Sequence, residues 1–337
     1  MISRELVYQA LAFQEVPRVP YAVGFTIPAR QRFCADPTGR ELFEQIDNDL
    51  HVSPVIRIEY GVRDPDGRYT DEFGVVWDRS ADPDIGVSIP SLTPENFDSY
   101  PWPDPNAPGR FDRLQAALRQ HPDKFQVMAV DFSLYERAWT LRGLTELLLD
   151  FIENPGFAEA LLDRVLQFNL DVIDAALRLC PQIDAVYFGD DFGSQTGLIM
   201  GAQRWRQFLR PRLARQYSAV HQAGKKVLIH SCGRVQEIFD DLADIGVDCF
   251  NPFQPEVMDV YAIHRQYHGR LAFWGGISTQ QLLPYGTVQQ VETEVDKLLA
   301  LGRSGGYIIA PCHNIQANTP PENIVAMYET GYEYGWQ

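Results

Sequence analysis

Eight short β-branched or apolar runs, separated by longer stretches with helical spacing of Leu, Val and Ile, constrain this chain more than any other feature. The runs are Val19–Gly24, Val55–Tyr60, Gln126–Phe132, Ile183–Gly189, Lys226–His230, Val247–Asn251, Leu271–Gly275 and Gly306–Ala310. Helical periodicity marks Gly143–Glu153, Gly156–Leu179, Ala202–Ala223, Val235–Ile245, Val288–Leu301 and, after the last run, Pro321–Tyr332. Strand followed by helix, repeated, means a parallel sheet. Eight parallel strands close into a barrel, whereas an open doubly wound sheet would carry a Gly-rich phosphate loop after its first strand, and none follows Val23. The expected fold class is therefore α/β, a (β/α)8 TIM barrel.

The 337 residues suit one such barrel, and no internal repeat argues for a second domain. The segment 63–109 has neither helical nor strand regularity, apart from a turn at Asp64-Pro65-Asp66-Gly67 and a possible hairpin arm from Phe73 to Trp77. It is expected to be an insertion between the second and third barrel strands, ending in the Pro-rich stretch Pro101–Pro108, and could lie as a lid over one barrel end. Pro211 sits within the Ala202–Ala223 helix and should kink or break it, because it offers no N–H and crowds the preceding turn.

A formal charge of −16 repels a phosphate backbone or an anionic membrane, which argues against nucleic acid as a partner. No run approaches the ~18 apolar residues a membrane span needs, and the first twenty residues lack a secretory apolar core, so a cytoplasmic protein is expected. The five cysteines are too few and too scattered for a disulfide framework. Cys34, Cys180 and Cys249 suit the role of small buried hydrophobes, since none ends a strand beside another soft ligand.

Barrels of this type place their chemistry at the C-terminal ends of the strands. His230-Ser231-Cys232 closes the fifth run, and Cys312 with His313 follows the eighth. One imidazole and two thiolates make a three-ligand zinc site that leaves a fourth position for a reactant. Both cysteines could equally be buried hydrophobes and His230 a core histidine. Asp190 and Asp191 follow the fourth run, where a carboxylate can act as base, orient a metal ligand or cap a turn. Glu136 opens a helix just past the third run, where it could act on substrate or only complement the helix dipole. Asn251, Gln254, Trp274 and His313 are candidate substrate contacts at the same mouth.

From about Arg4 onward the chain resembles the uroporphyrinogen decarboxylase superfamily, and within it the corrinoid-linked zinc methyltransferases. The motifs that carry the likeness are GDDFGSQTGLIM, KVLIHSCG, IGVDCFNPFQP, FWGGISTQQLLPYGT and GGYIIAPCHNIQANTPPENI, with DEFGVVWD and ERAWTLRGLTELL in the first half. The resemblance implies a distorted barrel and a zinc held at His230, Cys232 and Cys312. It also implies that the metal binds a thiol or folate-type acceptor and presents it to a methyl group on a methylcobamide carried by a separate protein. Relatives that demethylate methoxylated compounds often have an apolar residue where this chain has Cys312. The Arg-rich segment with which true decarboxylases clamp a porphyrinogen is replaced here by TIPARQRF, which argues against that reaction.

Zn2+ on these ligands would favour a deprotonated acceptor, with Asp190 or Asp191 taking the proton or orienting a ligand. The methyl donor would be a corrinoid protein docked at the mouth or S-adenosylmethionine acting as a small molecule. The rival readings are C-methylation of a 2-oxo acid from S-adenosylmethionine, metal-free decarboxylation of a tetrapyrrole, and a corrinoid binder without catalysis. No DxHxxG motif is present to hold a corrinoid permanently, and the sequence leaves a homodimer open.

Overall fold

The computed structural model describes residues 1–56, 59, 62–81 and 85–331. Its strands are β1 (Leu50–Pro54), β2 (Arg68–Thr70), β3 (Val76–Asp78), β4 (Val87–Ile89), β5 (Phe125–Val130), β6 (Ala185–Gly189), β7 (Lys226–His230), β8 (Cys249–Phe253), β9 (Ala272–Ile277) and β10 (Tyr307–Pro311). Seven of them form one parallel sheet in the order β1-β5-β6-β7-β8-β9-β10, with helices on the return crossings. The expected α/β barrel architecture is thus observed, with two departures at its start.

The first expected strand, Val19–Gly24, does not form a ladder. Pro20 has no N–H to give, and the segment is held by Ala22 N–H to the Ile309 carbonyl and Ile309 N–H to the Pro20 carbonyl. On its other side Asp49 N–H reaches the Tyr21 carbonyl, while the Asp49 and Asn48 side chains accept from Tyr21 N–H and Val23 N–H. Side chains therefore join this segment to the residues just before β1, and the sheet edges meet across it. The second expected strand, Val55–Tyr60, is displaced toward the N-terminus, to Leu50–Pro54. His51, Ser53 and Pro54 hide that strand from an apolar-run criterion, and only Leu50 and Ser53 of its five residues are buried. Arg57, Ile58 and Tyr60 of the expected run lie outside the described residues, as does Tyr332 at the end of the last expected helix.

Alternation along each strand places every second residue inside the barrel. Leu50, Phe125, Val127, Ala185, Leu228, Cys249, Ala272 and Ile308 form one buried interior cluster, which Val7 and Leu11 of the helix Ser3–Leu11 complete from the N-terminal end. A larger core fills the space between sheet and helices and extends into the insertion. Cys180 and Cys249 are buried packing residues, as expected.

The helix expected over Ala202–Ala223 is interrupted as Pro211 requires: Ala202–Arg204, a π-helical turn Trp205–Leu209, then Arg210–Gln222 with Pro211 in its first turn. Gly143, at φ +98°, separates the helix Tyr135–Arg142 from Leu144–Glu153.

Between β1 and β5 the inserted segment contains a three-stranded antiparallel sheet, β2-β3-β4, in which the expected hairpin arm is β3. Asp71 anchors it: one carboxylate oxygen accepts from Phe73 N–H and Val75 N–H, the other from Trp77 Nε1 at 3.1 Å and Arg137 Nη1 at 2.7 Å. The Asp71–Arg137 pair is fully buried, with the Arg137 guanidinium 4.1 Å from the Phe73 ring. Trp77 meets Phe132, just past β5, edge to face at 5.0 Å. The insertion is therefore fixed beside the C-terminal end of β5.

Candidate metal centre at the barrel mouth

Because Leu228 lines the interior, His230, two residues on, points into the same space at the mouth; so do Tyr187 from Ala185, Asn251 from Cys249 and Trp274 from Ala272. The register pairs His230 with Gly189 on β6 and with Asn251 on β8. This places the imidazole among residues from three adjacent strands.

The hydrogen bonds around Asn251 determine its orientation. Its Nδ2 lies 3.0 Å from the Trp274 carbonyl, which can only accept, so the amino group faces Trp274 and the amide oxygen faces the other way. That oxygen is 2.6 Å from His230 Nδ1 and 3.0 Å from the Tyr187 hydroxyl. Both must donate to it. Nδ1 of His230 thus carries a hydrogen, and Nε2 is the nitrogen directed to Cys232 Sγ at 3.2 Å and Asp191 Oδ1 at 3.7 Å. A histidine that ligates through one ring nitrogen and donates from the other is the usual arrangement in metal sites.

The loop carrying Cys232 is held on three sides. Asp191 Oδ1 accepts from Cys232 N–H at 2.7 Å, Gln254 Oε1 from Gly233 N–H at 3.2 Å, and Ser231 Oγ from Phe192 N–H at 2.9 Å. A Cβ at Gly233, whose φ is +88°, would lie 2.6 Å from the Ser194 carbonyl, so the two loops pack backbone to backbone only because glycine stands there.

Asp190 is buried and accepts from Leu134 N–H at 3.2 Å and Glu136 N–H at 2.7 Å. It supplies from another strand the cap that the helix Tyr135–Arg142 lacks locally. Burial nevertheless lifts its carboxyl to about 7, against those N–H donors. Burial likewise raises Asp131 to about 6, and burial with the neighbouring charges of Asp191 and Asp190 pushes Glu136 well above the carboxylate range. Burial works against a charge on His230, yet the Cys232 sulfur, Asp191 and Asn251 outweigh it and hold the imidazole up to about 10.

One donor atom each from His230, Cys232 and His313 lie within 4.8 Å of one another. Zinc with bonds of ~2.0–2.3 Å separates tetrahedral ligands by roughly 3.3–3.8 Å, so this soft sulfur and these two nitrogens fit such an ion with small side-chain adjustments. Cys312 is placed differently. Its thiol is buried, donates to the Phe253 carbonyl at 3.2 Å, and is raised well above the usual range by burial and then by the nearby Glu256.

The profile of the uroporphyrinogen decarboxylase (URO-D) family matches residues 81–334. The chain belongs to the uroporphyrinogen decarboxylase family. Among relatives of known name, it is 28% identical over 136 residues to the methylcobamide:CoM methyltransferase MtaA of Methanosarcina barkeri; that match covers 40% of this chain and 38% of the relative. It is 26% identical over 203 residues to a uroporphyrinogen decarboxylase of Anaeromyxobacter dehalogenans, covering 58% of this chain and 54% of that one. The chain thus matches about two fifths to one half of the length of these relatives. A solved structure of a methyltransferase from Methanosarcina mazei superposes with a TM-score of 0.71 over 99% of both chains at 18% identity, a likeness of fold.

For this URO-D member, the residues singled out from sequence take distinct places. His230, Cys232, His313 and Asp191 come together, with Glu136 beside Asp191. Asp190 and Gln254 are committed to backbone amides. Asn251 is bound to His230 and Tyr187, while Trp274 leaves its buried Nε1 without a partner. Arg30 lies 4.8 Å from the Phe43 ring and Arg32 donates to the Ala317 carbonyl. Tyr187 is the one residue of this network that strand-end position does not pick out. The signal for it is the alternation Ala185, Tyr187, Gly189 along an inward face. No helix among the described residues is long and apolar enough to cross a membrane.

Proposed function

We propose that the protein is a zinc-dependent methyltransferase that moves a methyl group between a corrinoid carried on a separate protein and a thiol or comparable acceptor. The observation that carries the reading is the convergence of His230, Cys232 and a third donor from the loop after β10 at the open end of a parallel barrel. The named relative MtaA supports the corrinoid partner. The ion, when bound, supplies Lewis acidity that favours the deprotonated acceptor. His230 and Cys232 would hold it; Asp191 orients the Cys232 loop, and Asn251 with Tyr187 fixes the His230 ring so that Nε2 is the nitrogen left for ligation. Glu136, raised by burial and by the charges of Asp191 and Asp190, would keep its proton and could hydrogen-bond the acceptor rather than take a proton from it. In the transfer itself the acceptor sulfur forms a bond to the methyl carbon, the carbon–cobalt bond breaks, and its electron pair stays on cobalt, which leaves as cob(I)alamin.

The test is anaerobic incubation of the zinc-loaded protein with methylcobalamin and 2-mercaptoethanol, followed by visible absorption. Conversion to cob(I)alamin with thioether formation, stopped by a chelator and restored by zinc, is the expected result. No conversion with thiol or folate-type acceptors, alongside turnover of S-adenosylmethionine with a 2-oxo acid, would replace this reading by C-methylation.

A further inference from the structure

The likeness to the methyltransferase branch places Cys312 in the metal shell, whereas the side chains converge differently. We infer that the third protein ligand is His313, giving a two-imidazole, one-thiolate site, and that Cys312 is a packing residue beneath it; this rests on the metal-dependent reading above.

Three observations lead there. The donor atoms of His230, Cys232 and His313 lie within 4.8 Å of one another, and the His230 and His313 rings meet edge to face with centroids 5.8 Å apart. Two imidazoles so arranged can turn one nitrogen each to a shared ion. Second, Cys312 is tied down on both its backbone and its side chain. Its N–H donates to the Ile277 carbonyl at 2.9 Å and its thiol to the Phe253 carbonyl at 3.2 Å, with only 3% of the residue exposed. To ligate, it would have to give up its hydrogen bond to the Phe253 carbonyl.

Third, the chain turns immediately after Cys312. Ile315 N–H donates to the Gly24 carbonyl and Thr26 N–H to the Ile315 carbonyl, which draws the loop across the mouth toward the closing segment. His313 is thereby carried over His230 while Cys312 stays at the level of the sheet. His313 stands at the rim beside His230, with its ring edge to face against the other imidazole.

The ligand set changes the charge of the site. Two neutral imidazoles and one thiolate leave a divalent ion with a single net positive charge, where two thiolates would have cancelled it. An anionic sulfur acceptor would then complete a neutral shell.

The experiment compares Cys312→Ala, Cys312→Ser, His313→Ala and His313→Gln with the parent chain, and uses Cys232→Ser as a control. Zinc content and affinity are measured by competition with a chromogenic chelator. The near-ultraviolet sulfur-to-metal charge-transfer band of the cobalt(II)-loaded protein counts the thiolate ligands. We expect one zinc per chain, a charge-transfer band unchanged in the Cys312 variants and abolished in Cys232→Ser, and zinc affinity within about threefold of the parent on losing Cys312. The His313 variants should bind zinc at least ~10–100-fold more weakly, the range already seen for lost outer-shell partners, with urea unfolding of the metal-free variants read beside the parent to separate lost ligation from lost folding. A halved charge-transfer band or lost zinc in the Cys312 variants overturns the inference and leaves the metal reading standing, whether or not the His313 variants also fail. A parent chain that takes up no zinc or cobalt overturns both.

Discussion

Replacing Asn251 by Leu, which keeps the same branched heavy-atom skeleton, removes the amide that links three strands at the mouth. Three polar groups lose their partner at once: the Trp274 carbonyl, the Tyr187 hydroxyl and His230 Nδ1–H. An orphaned buried group costs about 1–3 kcal/mol, so the three sum to at most roughly 3–9 kcal/mol. The His230 side chain is 17% exposed, and water entering from the mouth will satisfy part of that loss. The expected destabilisation is therefore about 2–5 kcal/mol, read from the urea midpoint of the metal-free chain at unchanged m-value. Zinc affinity should also fall by about 10–100-fold, since the imidazole is no longer fixed to present Nε2. Asn251→Asp keeps an acceptor for Nδ1–H and for Tyr187 and should retain most of the affinity, which separates orientation from bulk. A Leu variant within about 0.5 kcal/mol of the parent and with unchanged zinc binding would refute the claim that this amide orients His230.

Asp131, raised to about 6 by burial, holds its proton in the native state at pH values where the unfolded chain has lost it. Its contribution to stability is full below about pH 4 and declines as pH rises toward 6, so Asp131→Asn should flatten that part of a metal-free stability–pH curve; an unchanged slope would count against it. Asp71→Asn leaves the buried Arg137 guanidinium without its carboxylate and should cost about 3–5 kcal/mol in thermal or urea unfolding. A cost below about 1 kcal/mol would mean the insertion is held by its apolar contacts alone. Leu11→Ala removes an apolar side chain from the foot of the barrel interior and should cost about 2–5 kcal/mol, with no change in zinc affinity at the opposite end.

The barrel was legible because buried parallel strands such as Gln126–Phe132 and Lys226–His230 appear as continuous apolar runs, and the site residues follow from where those runs end. Strand β1 was not, since His51, Ser53 and Pro54 are admitted at an edge that a segment without regular pairing covers. Proline explains why Val19–Gly24 joins the sheet through Asn48 and Asp49 side chains, a substitution that no pattern of hydrophobicity encodes. In the candidate site, strand-end position brought forward His230 and Cys232, whose side chains do converge, but it could not divide labour among neighbours. Asp190 and Asp191 are adjacent in sequence, yet one caps a distant helix and the other holds the Cys232 amide. Cys312 and His313 pose the same difficulty: which of two consecutive side chains faces His230 and Cys232 depends on where the chain turns, and that is a tertiary property.

The helix Ser3–Leu11 stoppers the far end of the barrel. Among the described residues the interior is packed shut at that end, so in the proposed reaction the reactants would share the opposite opening. Under the proposed chemistry a small acceptor has to be seated before a carrier protein covers the opening, and the methylated product waits until that carrier departs. Turnover would then follow a compulsory order, and a large excess of demethylated carrier would slow it by keeping the door shut.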